Sequence, residues 1–164
     1  PRVALPDTAR MLAALRGAKF SNAPFGTLEE LVEARERGAC RRLDRDTMLD
    51  VFAALLANPA FASRRAPLYG LEGRFLMAEK DWQGAIAAFE AEQSLAPDGE
   101  AALLQARCAL QRGEVARARA YLARAAQANR ARGFKGSRLA GEIALEANLA
   151  DQLEAHLDTQ KGKR

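Results

Sequence analysis

Residues 66–99 read APLYGLEGRFLMAEKDWQGAIAAFEAEQSLAPDG, and this stretch decides the fold. Helix-forming residues run on both sides of a single break at Lys80-Asp81, and the second run ends before Pro97. Proline cannot extend a helix, and the Asp-Gly pair that follows it favours a turn. Because the central break is only a few residues long, the two helices must lie antiparallel. The stretch therefore predicts one helical hairpin.

Small and large residues recur in this hairpin at fixed spacings. Gly73 and Ala85 are small residues twelve positions apart, and the large Phe89 follows Ala85 by four. Small residues let two helix axes approach closely, and large residues fill the gaps between them. A similar pattern follows at an offset of 33 residues, beginning with Ala106.

This spacing resembles the tetratricopeptide repeat (TPR), a family of units with two antiparallel helices in about 34 residues. The residues that carry the resemblance, as structural positions of two repeats, are Tyr69, Gly73, Leu76, Trp82, Ala85, Phe89, Pro97, Ala106, Gly113, Ala118 and Leu122. Three residues depart from the family pattern. Glu72 and Gln105 stand where the family has a buried leucine, and Glu92 replaces a small residue. Either the first helices are rotated or the register shifts there by one residue, and the repeat is degenerate.

The rest of the chain is predicted to add helices to these repeats. The residues are 49% hydrophobic but only 6% aromatic, and alanine is abundant, which suits close-packed helices better than sheets. The resemblance implies an all-α, TPR-like antiparallel helix-hairpin array. Such an array is a right-handed α-solenoid, here of about seven helices with non-repeat helices at both ends.

The 164 residues are predicted to form a single helical domain. Residues 1–65 would supply N-terminal helices, with or without one degenerate repeat, including a helix over 6–19 and a loop over 20–26. The remaining parts are the repeats at 66–99 and 100–132, the capping helix or helices at 133–160, and the polar tail at 161–164.

Charge and hydropathy bear on several classes of partner. The net charge is +4, but 25 basic and 21 acidic residues are interleaved. Nucleic-acid-binding proteins concentrate basic charge and interleave it with aromatic residues, so no specific nucleic acid is predicted as a partner. No apolar run approaches the about 18 residues that span a bilayer, and no signal peptide opens the sequence, so no direct membrane insertion is predicted.

The context of the chain is predicted from its first residue and its composition. The sequence begins at Pro1 without a methionine, from which we expect a fragment or a processed form of a larger protein. The bias toward alanine and arginine is typical of high-GC bacteria. The expected localisation is therefore the bacterial cytoplasm or periplasm, with a tether to a membrane segment outside this chain as a further alternative.

Groups that could catalyse a reaction are scarce. His156 is the single histidine and has no cysteine or acidic pair at a metal-binding spacing. Cys40 and Cys108 are far apart, and they are either buried small hydrophobes or one disulfide pair. No glycine-rich phosphate loop occurs. We therefore expect no enzyme, no catalytic or metal-binding residue, and no cofactor.

Two stretches of opposite charge invite an interpretation. Residues 79–100 carry six acids against one base, and residues 112–132 carry six arginines against one acid. Since neighbouring second helices of stacked repeats touch, one interpretation is that these two faces neutralise each other.

The other interpretation concerns a partner-binding site in the groove. The resemblance places Arg74 and Arg107, at equivalent positions of the two repeats, on first helices that line this groove. Two guanidinium groups there would favour an acidic segment or a free terminal carboxylate. Met77, Leu103 and Leu110 would supply apolar contacts in the same groove.

Three functions follow as hypotheses. The leading one is a non-catalytic interaction or scaffold module that binds a protein or peptide through the repeat groove, as part of a larger bacterial protein. The second is a soluble accessory domain of a bacterial membrane enzyme. It rests on residues 56–61, LANPAF, followed by a repeat, which is similar to C-terminal regions of polysaccharide or pilin-glycosylation polymerases and ligases. The third is a nucleic-acid-associated helical domain that uses residues 112–132. The oligomeric state stays open.

Overall fold

A computed structural model describes residues 23–38, 44–131 and 138–161 of the chain. Their regular structure is entirely helical, which confirms the all-α prediction for these ranges. The α-helices are α1 (Ala23–Glu36), α2 (Arg45–Ala57), α3 (Arg65–Ala78), α4 (Trp82–Leu95), α5 (Gly99–Gln111), α6 (Val115–Ala131) and α7 (Arg138–Lys161). A 3-10 helix, Pro59–Arg64, joins α2 to α3. Among these helices, none is both long enough and apolar enough to cross a membrane.

The N-terminal predictions have mixed outcomes. The predicted helix over 6–19 lies outside the described residues. The predicted loop over 20–26 is wrong at its second half, because α1 begins at Ala23 and includes Pro24 and Gly26. Proline is tolerated there because the first N–H groups of a helix have no partner within the helix. A proline signal therefore marked the start of a helix and not a loop.

Packing follows the order of the chain. From α3 to α7 each helix packs against the next one, and α5 also packs against α7. Helices α1 and α2 both pack against α3. The rings of Phe52 on α2 and Phe75 on α3 have centroids 6.0 Å apart, and both side chains are fully buried. One continuous apolar core results.

The turns of the two hairpins have the same hydrogen bonds at positions 33 residues apart. In the α3–α4 turn, the N–H of Asp81 donates to the carbonyl of Leu76 over 2.9 Å. In the α5–α6 turn, the N–H of Glu114 donates to the carbonyl of Ala109 over the same distance. The predicted offset therefore recurs in the backbone geometry and not only in the sequence.

A left-handed residue precedes the donor in each turn. Lys80 has φ +62° and Gly113 has φ +73°. Glycine adopts this conformation without steric cost, whereas a side chain makes it unfavourable by about 1 kcal/mol. The second turn thus has the residue best suited to it, and the first turn adopts the same path with a lysine.

The α3–α4 hairpin closes tightly where Gly73 meets Phe89. A Cβ placed on Gly73 would lie 2.6 Å from Cε1 and 2.7 Å from Cζ of the Phe89 ring. Most residues that carry the TPR resemblance are buried: Gly73, Leu76, Ala85, Phe89, Ala106, Ala118 and Leu122. Tyr69 and Trp82 are half-buried, whereas Pro97 and Gly113 are exposed in the connections. Small residues thus lie at the helix crossings, and larger ones fill the space beside them.

Two of the three departures from the family pattern, Glu72 and Gln105, lie in or near the core. Gln105 is 1% exposed, and its Nε2 has no hydrogen-bond partner among the described residues. Glu72 is half-buried, and burial raises the pKa of its carboxyl. In α5, a polar amide therefore occupies a site suited to an apolar side chain.

Candidate functional site

A groove of about 770 Å³ opens along α3 and α5 and is flanked by residues of α1, α4 and α7. We term it the main groove. Its apolar lining is Pro67, Leu71, Met77, Ala78, Trp82, Phe89, Ala101 and Leu104. Its charged lining is Glu29, Glu36, Arg74, Glu92, Asp98, Glu100, Arg107 and Arg138. The volume is in the range of sites that hold a small ligand or a few side chains of a peptide.

A second concavity of about 450 Å³, termed the α7 pocket, adjoins the first. It shares Met77, Trp82 and Arg107 with the main groove, so the two adjoin at these side chains, and we term them together the combined groove. Its further lining is Leu110, Gln111, Glu146, Leu149 and Leu153. Leu149, on α7, is 44% exposed.

The structure brings together four of the five residues predicted to bind a partner. Arg74, Met77 and Arg107 line the main groove, and Leu110 lines the α7 pocket. Leu103 does not join them, because it is 1% exposed and belongs to the core. Its neighbour Leu104 lines the main groove instead. Adjacent residues of a helix point about 100° apart, so the wrong member of this leucine pair was assigned to the groove.

Both groove arginines are engaged by carboxylates of the chain itself. Arg74 donates from Nε and Nη2 to the two carboxylate oxygens of Glu36, over 2.8 and 2.6 Å. This bonding raises the pKa of the Arg74 guanidinium. Arg107 donates from Nε to Glu146 over 2.6 Å and from Nη2 to Glu142 over 3.1 Å. The guanidinium groups that suggested an acidic partner are therefore already charge-compensated.

The main groove consequently has an excess of negative charge. Its lining contains five carboxylates and three guanidinium groups. The third of these, on Arg138, donates to Glu142 over 2.6 Å. In the ranges that the structure covers, no ion pair joins Glu29, Glu92 or Glu100 to a basic side chain. The sequence did not indicate this excess of negative charge, because Glu142 and Glu146, which bind the groove arginines, come from a different helix.

The carboxylate of Glu92 lies directly over the backbone of Gly70. A Cβ on Gly70 would be 2.7 Å from Oε1 and 2.9 Å from Oε2 of Glu92. The absent side chain of one helix thus makes room for the unexpected glutamate of the next. Burial, followed by the charges of Asp98 and Glu100, raises the pKa of Glu92 to about 7.

We expect the Glu92→Gln variant to lose less stability than the wild type as pH rises. Because the pKa of Glu92 is raised in the folded protein, the folded state retains this proton at pH values where the unfolded chain releases it. The free energy of unfolding therefore falls as pH rises toward and through 7. In urea titrations the variant should exceed the wild type by about 1 kcal/mol at pH 8, a value reduced for the partial exposure of the group, and by less at pH 5. An equal difference at both pH values would contradict this.

Three arginines of the basic stretch 112–132, namely Arg112, Arg117 and Arg119, form ion pairs, and only one of these pairs involves the acidic stretch 79–100. Arg117 contacts Glu90 at 3.4 Å, which links the two stretches. Arg119 instead donates to Asp151 over 2.7 Å and to Glu154 over 2.6 Å, both on α7. The interpretation that the two stretches neutralise each other thus needs correction, since part of the basic charge is compensated by α7.

The remaining reactive side chains are separate from the combined groove. Cys108 is a free, fully buried thiol, and burial raises its pKa to about 12. Cys40 lies outside the described residues. His156 is exposed on α7. Over the described ranges, no group of three or more His, Cys, Asp or Glu side chains is placed to hold a metal ion.

Comparisons with protein-family models, curated proteins and solved structures found no match.

Proposed function

We propose that this chain is a TPR-like array of helical hairpins that binds a protein or peptide through the combined groove, as a non-catalytic interaction module of a larger bacterial protein. The recurrence of the same turn 33 residues apart supports the repeat assignment. The close approach of Gly73 to Phe89 supports it further, because a small residue facing a large one is the packing rule of such hairpins.

The combined groove is the observation that carries the proposed binding function. Its wall includes half-exposed apolar side chains from the first helices of the two proposed repeats and from the capping helix: Met77 on α3, Leu104 on α5 and Leu149 on α7. Apolar side chains that stay accessible in a continuous concave surface are typical of peptide-binding grooves. Since they project from helices fixed by the core, the surface is preorganised and loses little entropy on binding.

A peptide-display selection on the full chain tests this proposal. Recovered peptides would be synthesised with a fluorophore, and their affinity measured by fluorescence anisotropy. The groove variant is Leu149→Glu, and its matched control is Leu95→Glu. Leu95 is 55% exposed at the end of α4 and lines neither part of the combined groove. Because both leucines are exposed, neither substitution should unfold the chain.

We expect Leu149→Glu to weaken peptide binding at least about tenfold, because it places a charge where an apolar side chain contacts the peptide. Leu95→Glu should leave the affinity within about twofold of the wild type. If both variants bind equally well, or if the selection yields no specific peptide, the proposed binding function is wrong. Circular dichroism of both variants would verify that helicity is intact.

A further inference from the structure

Resting on the proposed function, we infer that the partner segment is basic and amphipathic, with lysine or arginine side chains in the main groove and an apolar side chain in the α7 pocket. The sequence alone had suggested the opposite charge, on the strength of two groove arginines. The charge balance of the folded groove and its apolar end lead to this different partner.

The arginines contribute little net attraction for an anion. Arg74 donates two hydrogen bonds to Glu36, and Arg107 donates one each to Glu142 and Glu146. An acidic peptide would have to displace these carboxylates, which then lack a partner in a partly buried site. Exchanging one carboxylate for another offers no net gain in charge pairing.

Carboxylates remain in excess after these pairings. Glu29 lies at the α1 side of the main groove, and Glu92 and Glu100 lie at the α4–α5 side. The Glu92 carboxylate is half-buried against Gly70 and close enough to other acids for mutual repulsion. An incoming ammonium or guanidinium group would relieve that repulsion and gain charge-assisted hydrogen bonds.

The apolar half of the partner is set by the α7 pocket. Leu149 and Leu153 line this pocket together with Met77 and Leu110, and its volume of about 450 Å³ is large enough for one bulky aliphatic or aromatic side chain. The main groove and this pocket meet at Met77, Trp82 and Arg107. A single short segment can therefore place charged side chains on one side of this junction and an apolar side chain on the other.

Two synthetic peptides test the inference by fluorescence anisotropy with the full chain. They share the same central leucine and phenylalanine residues, and one has three lysines where the other has three glutamates. At low salt we expect the lysine peptide to bind at least about tenfold more tightly, with affinity that falls as salt is raised. The groove variant Glu92→Gln/Glu100→Gln should lose about tenfold in affinity for it. The control Glu30→Gln/Asp46→Asn removes the same charge from exposed sites outside the combined groove and should retain binding.

The outcomes separate this inference from the proposed function. If the glutamate peptide binds more tightly, and Leu149→Glu abolishes that binding, the basic partner is wrong while the groove remains the binding site. If Leu149→Glu changes the affinity of neither the two synthetic peptides nor the selected peptides, both proposals are wrong. Self-association of the chain that Leu149→Glu abolishes would show a second copy in the groove and would overturn the inference.

Discussion

Gly73→Ala is expected to lower the free energy of unfolding by about 2 to 3 kcal/mol, although alanine is the better helix former. A Cβ at this position would lie within 2.6 to 2.8 Å of three carbons of the Phe89 ring. Phe89 is fully buried, so the ring cannot move aside without disturbing the core between α3 and α4. Urea denaturation followed by circular dichroism measures the difference.

Gly141→Ala is the matched control for this prediction. Gly141 is exposed within α7, and no atom lies within 4 Å of the Cβ that it would acquire. Alanine there should raise stability by about 0.5 to 1 kcal/mol through helix propensity alone. The double variant Gly73→Ala/Phe89→Leu should recover part of the loss, because the smaller side chain makes room. If Gly73→Ala proves as stable as Gly141→Ala, the tight crossing does not exist.

Arg107→Met is expected to lower stability by about 2 kcal/mol and to release α7 from α5. The substitution keeps the apolar stem but removes the guanidinium group that bonds Glu146 and Glu142. The Glu146 side chain is only 11% exposed and would be left as a buried charge without its arginine. Hydrogen exchange of α7 amides should accelerate in this variant more than that of α3 or α4.

Arg119→Met supplies the comparison, because Arg119 also pairs with two acids of α7. Those acids, Asp151 and Glu154, are 69% and 47% exposed, and ion pairs so open to water contribute little. The expected change is within about 0.5 kcal/mol. Adding Glu146→Gln to Arg107→Met should restore part of the lost stability. Equal losses for the two arginine variants would contradict the different roles assigned to them.

The helical hairpins could be predicted because their signals are local. The break before Trp82, the stop at Pro97 and the spacing from Gly73 to Phe89 all lie within one stretch of the sequence. Steric and hydrogen-bonding rules act on such short ranges with little interference from the rest of the chain. The start of α1 was missed because a proline in the first turn has the same local signature as one in a loop.

The charge of the candidate site could not be predicted from the same signals. Arg107 and its two acidic partners are separated by 35 and 39 positions, and only the packing of α7 on α5 brings them together. Glu92 lies against Gly70 by the same kind of long-range coincidence. A periodic pattern shows which residues share a face of one helix. It does not show which charges a second helix will place opposite them.

From α3 onward each helix packs on the next one along the chain, and this has a consequence for how the protein folds. Contacts between adjacent helices close only short loops, so little chain entropy is lost before they form. Rapid folding is typical of such topologies. Either of the hairpins α3–α4 and α5–α6 can act as the first structured unit, with the other adding to its exposed face. The order of assembly then depends on the relative stability of two similar units and not on one obligatory nucleus.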